Sequence, residues 1–364
     1  MISPAREQFE RAPFSMPQEE KRLWLTRAAA ALSRHHYEAC APYRAVVDHV
    51  FGGRGALGGG RLEDLPFLPV SLFKTHALRS IPEEKVIKVL TSSGTTGQQV
   101  SRVYLDAETS QVQSTVLVRV AQQFLGRERL PMVVLDHPGV VRDRASYSAR
   151  GAGILGMLQF GHRPFYALRE DMSLDTDGLL AYLEAARGRR VLMFGFTWMV
   201  WQYFQGALAS SGLRLQPGDA VLVHSGGWKK LADARVSPEQ FRSRLLEVAG
   251  VRTVINFYGM VEQVGSVFFE DELGHLHAPV FSEVIVRDPV TLAPLPDGEP
   301  GLVQVVSSLP TSYPGHSLLT EDLGVVHGAD LPGTVLKGRS FDILGRVPRA
   351  DLRGCSDTFV AAAS

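Results

Sequence analysis

Cysteine is scarce in this chain: Cys40 and Cys355 are the two among 364 residues. That excludes a disulfide-stapled scaffold and a tetrahedral thiolate metal site. Charge of one sign is lacking too, since Lys plus Arg and Asp plus Glu are both 38 and the formal net charge is zero. No global field therefore recruits nucleic acid or acidic lipid. No uninterrupted apolar run is long enough to span a bilayer, so no transmembrane segment is expected. The N-terminal stretch, broken by Pro4, Pro13 and Pro17, has no signal-peptide h-region, and the expected location is cytoplasmic. Convincing internal repeats and coiled-coil heptads are missing as well.

What is present is 45% hydrophobic residues, enough for a sizeable core in one large or two moderate domains. Apolar spacing predicts helices over residues 18–34, 42–51, 106–124, 173–186 and 238–248. Strands are expected at 86–90, 131–135, 191–196, 220–224 and 251–257, then at 265–269, 282–287 and 302–307. Alternation of strand and helix through the middle favours an α/β core with crossover connections. The later strands, joined by Pro-, Gly- and Asp-rich segments, suggest a smaller β-rich lobe. The expected organisation is a helical N-terminal segment and α/β core over 1–270 and the β-rich lobe over 271–364. Residues 52–60 are glycine-rich but follow no convincing strand, and read as a loop. Trp198, Trp201, Tyr203 and Phe204 suit either an acyl or aryl pocket or plain core packing.

One stretch organises the rest: Thr91-Ser92-Ser93-Gly94-Thr95-Thr96-Gly97, after an apolar run and before a helix. Backbone N–H groups in such a turn can face phosphate oxygens, and Gly94 and Gly97 allow close approach. It is not a Walker A loop, lacking the Gly-Lys-Ser/Thr ending. Asn256-Phe257-Tyr258-Gly259-Met260-Val261-Glu262 follows a strand, with an aromatic suited to a base and a carboxylate suited to hydrated magnesium. Thr320-Glu321-Asp322-Leu323 is read as a turn whose carboxylate suits ribose hydroxyls. Gly345-Arg346 supplies a persistent positive fork for phosphate or carboxylate.

In this order the motifs resemble those of the adenylate-forming carboxylate ligases, and within them the LuxE-like acyl-protein synthetases. Ser92-Ser93-Gly94-Thr95-Thr96-Gly97 resembles the family's phosphate loop, Ser225-Gly226-Gly227 the glycine turn beside adenine, and residues 256–262 the adenine and magnesium segment. Asp322 falls on the ribose aspartate and Gly345-Arg346 on the Gly-Arg pair near the end of the nucleotide domain; the pattern runs from Phe73-Lys74 nearly to Ser364. The fold this implies is the large N-terminal domain of an adenylate-forming enzyme, with layered mixed sheets and helices. The activity it implies is ATP- and Mg2+-dependent conversion of a carboxylic acid, a fatty acid in the LuxE-like case, to an acyl adenylate. The acyl group then passes through a protein thiol toward an acceptor protein or reductase. Aryl-acid activation and a noncatalytic nucleotide-binding scaffold are the alternative readings.

On this resemblance Ser92, Ser93, Gly94, Thr95, Thr96, Gly97, Gly226, Gly227, Asn256, Tyr258, Gly259, Asp322 and Arg346 would hold the nucleotide, and Glu262 the magnesium. Thr95, Thr96 and Arg346 would also act on the reacting phosphate. Three departures stand out. Gln98-Gln99-Val100-Ser101-Arg102 replaces the run toward a lysine, leaving Arg102 to supply the charge, and Val261 sits where relatives commonly carry a hydroxyl. The expected mobile lid domain, with its catalytic lysine, has no counterpart, so Lys74, Lys229 or Lys230 is expected to substitute. Cys355, beside Arg353 and Gly354, is open between an acyl carrier and a packing thiol.

Overall fold

The structure is a computed structural model and describes residues 9–58, 60–92, 100–141, 149–228 and 236–347. It divides into two compact units, one made of residues up to 123 together with those from 259 onward, the other of residues 124–258. This grouping does not follow the chain order of the expected 1–270 and 271–364 division. The reason lies in the first helix. α1 (Gln18–Ala39) and α2 (Ala41–Val50) open the chain, each entered at a proline, Pro17 before the first and Pro42 inside the second. Leu25, Ala29 and Ala30 of α1 pack with Leu62, Leu65, Ile285 and Val306. The N-terminal helix thus buries its apolar face on strands from the far end of the chain. Leu23, an apolar residue of the same helix, is 65% exposed. Lys21 is fully buried instead, donating to Ala278 O at 3.0 Å and lying 3.5 Å from the Glu283 carboxylate.

Strand β1 (Leu68–Pro69) runs into a single helical turn, Leu72–Thr75. β2 (Lys88–Thr91) and β3 (Arg102–Leu105) form an antiparallel ribbon, followed by helix α3 (Ala107–Leu125). The sequence led us to expect the phosphate loop between a strand and that helix. The described strands on either side of that segment, β2 and β3, instead pair antiparallel, with Lys88–Thr91 opposite Arg102–Leu105, so a second strand stands before the helix.

The second unit is a parallel sheet of β4 (Leu130–Val134), β5 (Gly161–Tyr166), β6 (Val191–Phe196), β7 (Ala220–Ser225) and β8 (Thr253–Tyr258). Its strand order is β5-β4-β6-β7-β8, the crossover arrangement expected from the alternating elements. β4 is buried throughout, and β6 and β7 nearly so, which is why they read as continuous apolar runs. Helix α4 (Thr176–Ala185) starts at Asp175, whose carboxylate accepts from the Gly178 N–H. Helix α5 (Pro238–Ala249) starts in a capping box between Ser237 and Gln240. In the aromatic segment Phe204 is fully buried on a π-helical turn over Val200–Gln205, and Trp198, Trp201 and Tyr203 are partly buried against the same core cluster.

Back in the first unit, β9 (Phe268–Glu270), β10 (Leu276–His277), β11 (Ser282–Arg287), β12 (Gly301–Ser307), β13 (Ser317–Ala329) and β14 (Arg339–Arg346) pair antiparallel in the order β11-β12-β13-β14-β10-β9. β1 adds to β13 in parallel. Residues 320–323, expected as a turn, lie inside β13. Their polar character reflects local bonding rather than a reversal: Thr320 Oγ1 donates to Val303 O at 2.7 Å and accepts from the Asp322 N–H at 3.1 Å. No helix among the described residues is long and apolar enough to cross a membrane.

Candidate active site

The neck of the phosphate loop is built from the ends of β2 and β3. Thr91 stands opposite Arg102, and one step further the Ser92 N–H donates to Ser101 O at 3.2 Å. The Ser101 N–H returns the contact, donating to Ser92 Oγ at 2.9 Å. Two hydroxyl residues therefore clamp the base of the loop, and Arg102 is exposed beside it. Ser93, Gly94, Thr95, Thr96 and Gly97 lie outside the described residues, as do Lys229, Lys230 and Cys355.

Glu262 occupies a 3-10 turn, Val261–Gln263, directly after the chain leaves β8. Gln263 anchors that turn, its side-chain amide donating to Gly315 O at 2.8 Å and to Val305 O at 3.1 Å. Tyr313 Oη donates to Glu262 O at 2.9 Å. Gly315 is required here, because a Cβ on it would come within 2.8 Å of that same carbonyl. The Glu262 side chain itself is buried at 5% exposure. Burial pushes its carboxyl above the ordinary range, opposed by the neighbouring Ser101 hydroxyl and the Lys74 ammonium, with Glu321 adding to the rise. Ser101 Oγ is buried and, Glu262 apart, has no bonding partner among the described residues. A buried carboxylate beside a buried hydroxyl is a donor set made of oxygen, the kind hard divalent cations take. Lys74 is exposed on its helical turn and forms no ion pair within 4.0 Å among the described residues.

Asp322 stands directly opposite Arg346 across β13 and β14. Arg346 is itself held by Glu321, its guanidinium donating at 2.6 Å to that carboxylate. Within the first unit, then, Lys74, Ser101 and Glu321 all act on Glu262, and Glu321 also holds Arg346, the register partner of Asp322. Ser101 and Glu321 were not singled out from the sequence. The available signal was their adjacency to named motifs, one at the loop's far end and the other next to Asp322.

In the second unit, taken by itself, two neighbouring parallel strands end at the kind of edge where α/β sheets bind ligands. Ser225 at the end of β7 lies opposite Phe257 of β8, and His224 opposite Asn256. Gly226 turns away with φ +83°, a left-handed conformation that suits glycine, and Gly227 is exposed beside it. Asn256 and Tyr258 are half-buried and Gly259 exposed. His224 lies beneath this edge, 2.9 Å from Thr197 Oγ1 and with its ring tilted against Phe241 at 4.7 Å between centroids. Burial drives its pKa down to about 3, so it stays neutral and positions the edge rather than carrying charge. At the carboxyl end of β4, Asp136 is buried and paired with Arg150 Nε at 3.0 Å, another polar group that no sequence pattern announced.

Residues 6–363 match the family described as Acyl-protein synthetase, LuxE. The chain belongs to that family. The synthetase is similar to the long-chain-fatty-acid–luciferin-component ligase of Vibrio harveyi, with 26% identity over 356 residues, covering 93% of this chain and 88% of that protein. A ligase of the same description from Aliivibrio fischeri is 23% identical over 305 residues, covering 81% and 78%. Among solved structures, an open conformation of 2-hydroxyisobutyryl-CoA ligase in complex with 2-HIB-AMP and CoA gives TM-score 0.69 at 17% identity, covering 92% of this chain and 76% of that one. The same ligase in its thioesterification state also gives 0.69, at 16% identity and 96% and 73% coverage. At such identities the likeness is one of fold, and the fold is that of an adenylate-forming enzyme, as expected from the motifs. The enzyme class is an ATP-dependent acyl ligase.

Proposed function

We propose that this synthetase converts a long-chain fatty acid to its acyl adenylate and passes the acyl group to a protein thiol. The grouping of Lys74 and Ser101 around the buried Glu262, with Glu321 acting on Glu262 and also holding Arg346, supports this reading. The relatives' description supplies the acid class, and pairs it with a luciferin component as acceptor.

In the first step a carboxylate oxygen attacks the α-phosphorus of ATP, forming the acyl–phosphate bond while the bond to pyrophosphate breaks. A carboxylic acid is already ionised near neutral pH, so no general base is required. The work left to the protein is positioning and charge compensation. The loop backbone with Thr95 and Thr96 would hold the phosphates, Arg346 and Arg102 would offset their charge, and Asp322 would accept from the ribose hydroxyls. Gly226, Gly227, Asn256 and Tyr258 would line the base. Glu262 would hold magnesium through its water shell, with Ser101 beside it; the ion supplies charge neutralisation at the phosphates. Lys74 would replace the lid lysine, a reading supported by the effect of its charge on Glu262.

In the second step a thiolate attacks the acyl carbon, the thioester forms and AMP leaves. Cys355 or a cysteine of a partner protein is the acceptor. Cys40 is excluded by its setting: it is buried, and burial raises its thiol pKa.

The test is acid-dependent exchange of labelled pyrophosphate into ATP, across short, medium and long aliphatic acids and a set of aromatic acids. Exchange supported best by long-chain acids is the expected result. Preference for aromatic acids would replace the fatty-acid assignment, and exchange with no acid in a folded, magnesium-supplied protein would overturn the enzymatic reading.

A further inference from the structure

Three adjacent strands of the first unit end their side chains in a common cluster that takes no part in the adenylation site. Asp342 lies on β14, His327 on β13 and His275 immediately before β10. β13 and β10 are the two neighbours of β14, so the three residues form a row across the sheet. His275 Nδ1 lies 3.1 Å from Asp342 Oδ1, and His327 Nε2 lies 2.8 Å from Asp342 Oδ2. The two imidazoles sit with ring centroids 4.0 Å apart.

We propose that His275, His327 and Asp342 form a binding site for a divalent transition-metal ion of the zinc type. One ligand atom from each of the three lies within 4.8 Å of the others. Around an ion with bonds near 2.1 Å, tetrahedral ligand atoms stand about 3.4 Å apart. Two of the observed separations are already below that, and small side-chain rotations close the third. Two imidazole nitrogens and one carboxylate oxygen favour zinc, copper or nickel over magnesium, which prefers oxygen alone. This is a different donor chemistry from the Glu262 site.

The backbone around the cluster is prepared for such a role. The register of β13 on β14 shifts between Val326 and Gly328, so His327 sits in an irregularity of the kind that re-aims a side chain. His275 is pinned by a tight turn, its N–H donating to Asp271 Oδ1 at 3.1 Å and its carbonyl accepting from the Asp271 N–H at 2.8 Å. All three side chains keep about a third of their surface in water, with exposures of 29%, 30% and 35%, so an ion can enter and retain a water ligand. A bound ion would clip β10, β14 and β13 together.

Zinc titration of the untagged full chain, by calorimetry against a competing chelator and without nucleotide, tests this. One equivalent should bind, and Asp342→Asn or the paired change His275→Ala with His327→Ala should weaken it by at least ~10-fold. Cys355→Ser should bind as the parent does. Should the histidine variants fail to fold, the copper-loaded parent gives the second readout, an electron paramagnetic resonance spectrum with coupling to two imidazole nitrogens. No binding, unchanged affinity in the folded variants, affinity lost with Cys355, or a copper spectrum without imidazole coupling would each overturn the site.

Discussion

Asp322 and Arg346 face each other as register partners across β13 and β14, while Arg346 is held at 2.6 Å by Glu321. A carboxylate and a guanidinium that the sequence separates into different motifs thus stand on adjacent strands, with a third charge tying one of them down. Replacing Asp322 with Asn keeps the shape but removes charge-assisted acceptance from ribose hydroxyls. ATP affinity should fall by about 10-fold, or roughly 1.4 kcal/mol, the scale of one such contact, with fatty-acid binding unchanged. Equal nucleotide affinity in folded wild type and variant would remove Asp322 from the site.

Glu262 is the buried carboxylate beside Ser101, and its role is read through magnesium. Glu262→Gln preserves volume and the turn anchored by Gln263, but withdraws the negative charge. Pyrophosphate exchange should drop and require several-fold more magnesium for half-maximal rate. A magnesium titration that superimposes on the wild type would make Glu262 a structural residue.

Lys74 is tested by the same exchange reaction. Lys74→Met removes the ammonium from an exposed position on a short helical turn, so stability should change little. Exchange should slow by ~10-fold or more if Lys74 stabilises the developing charge, the usual scale for one lost electrostatic contact. A rate within twofold of wild type would pass the role to another lysine.

Cys355 makes a separable prediction, because it acts only after adenylation. With ATP and a long-chain acid, intact-protein mass spectrometry should detect an acyl adduct that hydroxylamine removes. Cys355→Ala should abolish the adduct while leaving exchange intact. An adduct surviving on the variant would exclude Cys355 as its carrier.

Acid should unfold this protein earlier than its carboxylates alone would dictate. His36, His224 and His316 are buried, and burial holds all three neutral, with His224 and His316 shifted down to about 3 and His36 well below its usual value. In the unfolded chain each titrates near 6.5. Above that pH neither state is protonated and the groups contribute no pH dependence. Below it the unfolded chain takes up protons the folded one refuses, so stability falls as pH falls. The slope approaches about 1.4 kcal/mol per pH unit for each histidine, roughly 4 for the three together. The urea midpoint should be flat from pH 8 to 7 and decline steeply between 6 and 5. A midpoint that stays flat to pH 5 would show that these histidines protonate in place.

The motifs of the candidate site were legible because they are local. A glycine-hydroxyl turn, an aromatic-glycine-carboxylate run and a Gly-Arg pair each carry their chemistry within a few residues, and their order is visible without a fold. The pairing of β2 with β3 was missed because β3 is four residues long, leaving too short an alternation to register. Asp322 was assigned to a turn because Thr320, Glu321 and Asp322 are polar in succession, whereas β13 accommodates them by spending the Thr320 hydroxyl on backbone groups. The aromatic segment at 196–204 was readable as bulk but not as lining or core, since burial depends on what packs against it.

By itself the sequence indicated the alternating strands and helices of the α/β sheet, the helix beginning at Pro238, and the series of nucleotide motifs. Periodicity and capping are properties of neighbouring residues, and neighbours are what a sequence displays. Only the tertiary structure decided that α1 packs on β11 and β12, that Lys74 and Ser101 face Glu262, and that His275, His327 and Asp342 share one row. Those relationships depend on strand register and on which distant strand becomes a neighbour. Register is set by side chains packing across the whole sheet, so no local pattern records it.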